Sequence, residues 1–68
     1  MTTGERIKEL MKQRGLTRRE FAEAAGVTEK TVRRWELGGE PGKDTFVRVY
    51  RALGVSMGEF WWGGEEVE

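Results

Sequence analysis

Thr17-Arg18-Arg19-Glu20-Phe21-Ala22-Glu23-Ala24-Ala25-Gly26-Val27-Thr28-Glu29-Lys30-Thr31-Val32-Arg33-Arg34-Trp35-Glu36 is the most informative run in this chain. Large apolar side chains fall at Phe21, Val27, Val32 and Trp35, and small ones at Ala22 and Ala25 beside Gly26. That spacing predicts two short amphipathic helices meeting at a tight corner. Ala22 lets the backbones approach, and Gly26 accepts the positive φ that such a corner demands. Val27, Val32 and Trp35 then face the same core as Phe21, which turns Glu29, Lys30, Arg33 and Arg34 outward. A short helix held proud with a cationic outer face has the geometry that enters a DNA major groove.

Glycines punctuate the rest of the chain. Gly15, Gly26, Gly38 and Gly54 each follow a helical pattern, as closing glycines do. The first helix is predicted from about Glu5 to Arg14, with Ile7, Leu10 and Met11 on one face. The second runs from about Arg18 to Ala25, opened by a capping box of Thr17 and Glu20. The third opens at the N-cap Thr28 and runs to about Leu37. Gly38 to Gly42 compose a loop. The fourth helix runs from about Lys43 to Leu53, with Phe46, Val49, Tyr50 and Leu53 at core spacing. A short fifth repeats the capping box with Ser56 and Glu59 and carries Phe60. No stretch alternates long enough for a strand. The expected architecture is all-α, five helices in one domain over residues 1–62, followed by an acidic, frayed tail at 63–68.

Composition narrows the function classes. Sixty-eight residues make one small domain, near the lower limit for an independent core. The chain holds no cysteine and no histidine, which removes thiolate and disulfide chemistry, the commonest general base and the commonest zinc ligand. Its Glu residues scatter over outer helix faces rather than converge, so no catalytic residue, metal site, cofactor or small-molecule ligand is expected, and the chain does not read as an enzyme. No apolar run is long enough for a membrane span and no signal peptide is evident, so the expected location is cytoplasmic. Net charge is zero, yet residues 1–38 hold nine Lys/Arg against six Glu while residues 39–68 hold three against six Asp/Glu. So segregated a chain can offer a basic face and an acidic one, although the same charges would also simply solvate a small protein.

The pattern resembles the helix-turn-helix family of the lambdoid phage repressors and Cro proteins over about residues 4–62. The resemblance is carried by Phe21-Ala22, Gly26-Val27-Thr28, Val32, Trp35-Glu36 with Gly38, and Leu53-Gly54-Val55-Ser56. It implies a third helix that reads base edges, with phosphates held at the N-terminus of the second helix and in the loop after the third. By position, the implied base readers are Glu29, Lys30 and Arg34, flanked by Thr28 and Arg33. Arg18 stands where the family usually has a phosphate-binding glutamine. Met11 stands where the family often has an arginine paired to the carboxylate equivalent to Glu36, so Glu36 needs another partner or stays at the surface. Lys43 stands where an apolar residue is common, and Tyr50 where a small one is usual.

The residue chemistry agrees with these roles and also allows plainer ones. Arg34 can give two parallel donors to guanine N7 and O6, Lys30 can reach the same acceptors or phosphate, and Glu29 can accept from cytosine N4. The plainer alternative is a solvated helix face with Glu29 paired to Arg33 at i+4. Arg18 and Arg19 oppose the dipole at a helix N-terminus, a cost that a phosphate there would relieve. Phosphate or flanking contacts are therefore expected at Thr17, Arg18, Thr28, Arg33 and Lys43, with the Thr17 backbone amide as one donor, while Arg19 reads as a tolerated surface charge. Trp35 and Phe60 read as core. Trp61 and Trp62 cannot both be buried, because adjacent helical residues point about 100° apart. One is expected to pack on the core, and the other is exposed or part of a homodimer interface. The expected partner is duplex DNA, bound as a homodimer on a palindromic operator to repress transcription. The alternative is a protein-interaction module that keeps the fold and binds a protein through Trp61, Trp62 and acidic residues.

Overall fold

A computed structural model describes residues 1–63. It contains five helices, α1 (Thr3–Arg14), α2 (Arg18–Ala25), α3 (Glu29–Glu36), α4 (Lys43–Leu53) and α5 (Met57–Trp62). Among the described residues there is no strand. None of these helices is long and apolar enough to cross a membrane. Beyond Gly63, the acidic tail expected at 63–68 lies outside the described residues.

Local chemistry sets the helix ends. Thr17 Oγ1 accepts from the Glu20 amide at 3.1 Å, and Glu20 Oε1 accepts from the Thr17 amide at 2.9 Å. Ser56 and Glu59 close the same reciprocal pair at the start of α5. A third box, Thr2 with Glu5, starts α1 two residues before the position expected from its apolar face. The signal for it, Thr-x-x-Glu, stood in the sequence. At the other ends, Gly15, Gly26, Gly38 and Gly54 each donate to the carbonyl three residues back. The residue after each donates to the carbonyl five residues before it, so four helices close in the same paired-bond motif.

The core collects one face from every helix. Ile7, Leu10 and Met11 of α1 meet Phe21, Ala22 and Ala25 of α2, Val32 and Trp35 of α3, Val49 and Leu53 of α4 and Phe60 of α5, all buried. Val27 and Tyr50 are partly buried against this cluster. Phe21 and Trp35 meet edge to face with ring centroids 6.5 Å apart. α2 packs on both α3 and α4, while α1 runs behind α3, α4 and α5. No buried side-chain nitrogen or oxygen among the described residues lacks a hydrogen-bond partner.

Two polar ties fix the ends of this bundle. Arg6 reaches from α1 to the last turn of α5, donating to the carbonyls of Phe60 and of Glu59, the latter at 3.1 Å. It thereby satisfies carbonyls that a helix end leaves orphaned and places a cation at the negative pole of the helix dipole. Thr3 Oγ1 donates to Glu40 Oε1 at 3.1 Å, pinning the loop after α3 to the start of α1.

Candidate nucleic-acid interface

The corner between α2 and α3 is built as the apolar spacing predicts. Gly26 has φ +71°, and the Val27 amide donates to the Ala22 carbonyl at 2.9 Å. Thr28 then caps α3, accepting from the Thr31 amide at 3.2 Å. Val32 and Trp35 lock the inner face of α3 into the core. Its outer side chains, Glu29, Lys30, Arg33 and Arg34, are all exposed. Among the described residues no ion pair joins Glu29 to Arg33, so the plainer intrahelical pairing does not form.

Lys30, Arg34 and Leu37 lie at i, i+4 and i+7, hence on one stripe of α3 and its cap. Together with Arg33 and Gly39 they line an open hollow of about 390 Å³. Leu37 is 79% exposed at the end of this stripe, an apolar tip among cations. The sequence pattern assigned Leu37 only to the end of the helix, yet its i+7 distance from Lys30 was the signal that it shares the outer face.

The opposite flank of α3 carries the least expected contact. Arg18 Nε donates to Glu36 Oε2 at 3.0 Å and Arg18 Nη2 to Glu36 Oε1 at 2.9 Å. This fork-on-fork geometry is the strongest form of a carboxylate pair. Glu36, deprived of an arginine at Met11, finds its partner on α2 instead. The Glu36 side chain is 10% exposed and that of Arg18 40%. The Arg18 guanidinium holds the Glu36 carboxyl below the usual carboxylate range, against the opposing effect of burial, with smaller help from the charges of Lys8 and Arg33. Arg18 is raised in turn, chiefly by the Glu36 hydrogen bonds.

The remaining candidates lie on other elements, at the starts of α2 and α4 and on α5. The Thr17 amide is committed to Glu20, so it is not the free phosphate donor expected from the sequence, because the second half of the capping box consumes it. That bond also holds the Glu20 carboxyl below its usual range. Arg19 pairs with Glu23 one turn on, at 3.5 Å, with both side chains largely exposed. Lys43 is exposed at the first position of α4, behind Gly42, which supplies no side-chain cap. On α5, Trp61 packs against Phe46 and Phe60, with ring centroids 6.0 and 4.8 Å away, and its indole N–H donates to the Tyr50 hydroxyl at 3.2 Å. Trp62 is 55% exposed. One tryptophan thus leans on the core and its neighbour faces outward.

The comparison with protein families meets this geometry directly. A helix-turn-helix family model matches residues 7–60, from Ile7, the first core hydrophobic residue of α1, to the buried Phe60 of α5. This chain belongs to the helix-turn-helix family. The match is consistent with the repressor and Cro type, as the resemblance implied. Members of this family are DNA-binding transcription regulators, generally not enzymes. A comparison with curated proteins finds no match. The Arg18–Glu36 clasp ties together α2 and α3, the two helices of the helix-turn-helix unit.

Proposed function

We propose that the chain is a sequence-specific duplex-DNA binder that represses transcription by occupying a palindromic operator as a homodimer. The observation that carries this is the outer face of α3: Glu29, Lys30, Arg33 and Arg34 all exposed, on a helix whose inner face is locked by Val32 and Trp35. Arg34 and Lys30 would donate to guanine, and Glu29 would accept from cytosine N4. A carboxylate near phosphates adds selectivity rather than affinity, because a wrong base leaves it unpaired. Arg33, Thr28, Lys43, Arg18 and the Thr17 hydroxyl are the flanking and phosphate contacts.

Homodimer formation through α5 draws on Trp62, Trp61 and Met57, which are 55%, 40% and 59% exposed. Met57 and Trp61 are four apart and share a face. A two-fold pairing there would set two copies of α3 about one DNA turn apart, roughly 34 Å. Repression then follows from steric exclusion of polymerase over the covered duplex.

Selection from a random duplex pool tests the proposal. A palindrome with half-sites about one turn apart is the expected outcome. A single asymmetric site would retain base reading and remove the dimer. Absence of salt-dependent duplex binding would favour the rival protein-interaction module built on Trp61 and Trp62.

A further inference from the structure

Gly39 has no positive φ, unlike Gly38 beside it at +115°, so its φ does not demand a glycine. What excludes a side chain there is Arg34. A Cβ on Gly39 would lie 3.1 Å from Arg34 Cγ and 3.1 Å from the Arg34 carbonyl oxygen. The Gly39 amide donates to that same carbonyl at 2.9 Å, which folds the chain back over the end of α3. The stem of Arg34 therefore rests against bare backbone.

Leu37 adds an apolar neighbour. It follows Arg34 by three residues, which makes the two adjacent on a helix surface, and both line the hollow of about 390 Å³ together with Gly39. An isolated exposed leucine is ordinary in itself. This one, 79% exposed, stands where the methylenes of an arginine can lie along it while the charged head stays in water. Lys30 is one turn back on the same stripe, and its like charge disfavours a guanidinium folded towards it. Around Arg34, the surroundings towards the end of α3 are thus uncharged and close-fitting, and those towards its start are cationic.

We propose that Gly39 and Leu37 are positioning residues for Arg34, giving its stem an uncharged seat that restricts the guanidinium before DNA arrives. The proposal rests on base reading by Arg34 and names two residues that set how sharply it reads. The seat works through entropy and direction. An arginine free in solvent loses rotamer freedom when it docks on a base, and a seated one has already lost part of it. A bidentate contact with guanine also needs the planar fork in one orientation, which a wandering side chain meets only part of the time.

Two measurements test the seat. The first needs no DNA: nuclear magnetic relaxation of the Arg34 Nε–H in the free chain. It should report a restricted side chain in the parent and a freer one in Gly39→Ala and in Leu37→Ala. Equal mobility in all three overturns the seat. The second is a double-mutant cycle on selected and scrambled duplexes. Each variant should lower the preference for the selected duplex by about 2–10-fold, and should cost nothing further when Arg34 is already alanine. Equal loss on both duplexes overturns the positioning role. So does a loss that persists in full beside Arg34→Ala, which would mean that Leu37 or the loop touches DNA on its own account. Melting curves accompany each variant. If Gly39→Ala unfolds, Leu37→Ala carries the test, because Leu37 lies outside the core, and Leu37→Met should restore the preference that alanine loses. Should Arg34→Ala itself leave the preference intact, base reading by Arg34 falls, and the relaxation contrast still decides the seat.

Discussion

Arg34 carries the most direct test of base reading. It is exposed on α3 in register with Lys30, and its bidentate fork matches guanine. Arg34→Ala is expected to cost about 1–3 kcal/mol of specific binding and to relax preference at one base pair of each half-site, measured on selected and scrambled duplexes. Equal loss on both would reduce Arg34 to a phosphate contact. Two glycines matter for opposite reasons. A Cβ on Gly26 would meet only Arg48 Nη1 at 3.3 Å, so what restrains this position is its φ of +71° rather than space. Gly26→Val is expected to lower stability by more than about 1 kcal/mol, because a β-branched residue resists positive φ, while Gly26→Asn costs less. A melting temperature within a degree of the parent for Gly26→Val would contradict the backbone account. Gly4 has an ordinary φ but no room: a Cβ there would lie 2.1 Å from the Trp35 carbonyl oxygen. The first turn of α1 rests directly on the backbone that ends α3, and Gly4→Ala is expected to cost about 1–3 kcal/mol by chemical denaturation.

At the scale of elements, the helices are held by two kinds of clasp that share one titration behaviour. The Glu36 carboxyl between α2 and α3 is held low chiefly by its Arg18 hydrogen bonds, and the Glu5 and Glu20 carboxyls chiefly by the capped Thr2 and Thr17 amides. Each binds its proton less readily folded than unfolded, so the unfolded chain takes up more protons as pH falls and stability falls with it. Their contribution is complete above the usual carboxylate value of about 4.3 and drains as pH drops through the depressed folded values. Thermal melts should therefore be nearly flat from neutral pH down to about 5 and decline below that. Glu36→Gln should flatten part of the decline. A melting temperature that holds constant to pH 3 would show that these bonds add nothing to the fold.

For the molecule as a whole, the proposed dimer rests on α5. Arg6 fastens its last turn to α1, Phe60 anchors it in the core, and Trp61 and Trp62 remain partly or largely outside. The double change Trp61→Ser and Trp62→Ser should leave a folded monomer with much weaker operator binding, read by sedimentation against the parent at equal concentration. A parent that is itself a monomer at tens of micromolar, free and on DNA, would return these aromatics to the core or to a foreign partner. The same helix shows how weak a local signal can be: its six residues carry one capping box and one buried phenylalanine, and the arginine and the Tyr50 hydroxyl that also hold them come from other elements.

The helix plan was written locally, and so it was legible. Capping boxes, closing glycines and the spacing of Phe21, Val32, Trp35, Val49 and Phe60 are relations over a few residues, and each was met in the fold. The outward face of α3 was legible for the same reason, since a 3.6-residue period that buries Val32 and Trp35 must expose Lys30, Arg33 and Arg34. The start of α1 was equally local, but its Thr2–Glu5 box precedes the first apolar position and so lay outside that periodicity. What no local pattern encodes is the meeting of residues far apart in the chain. Arg18 finding Glu36, Arg6 finding the end of α5 and Gly4 lying against Trp35 depend on how five helices pack, and only the tertiary structure decides such pairings.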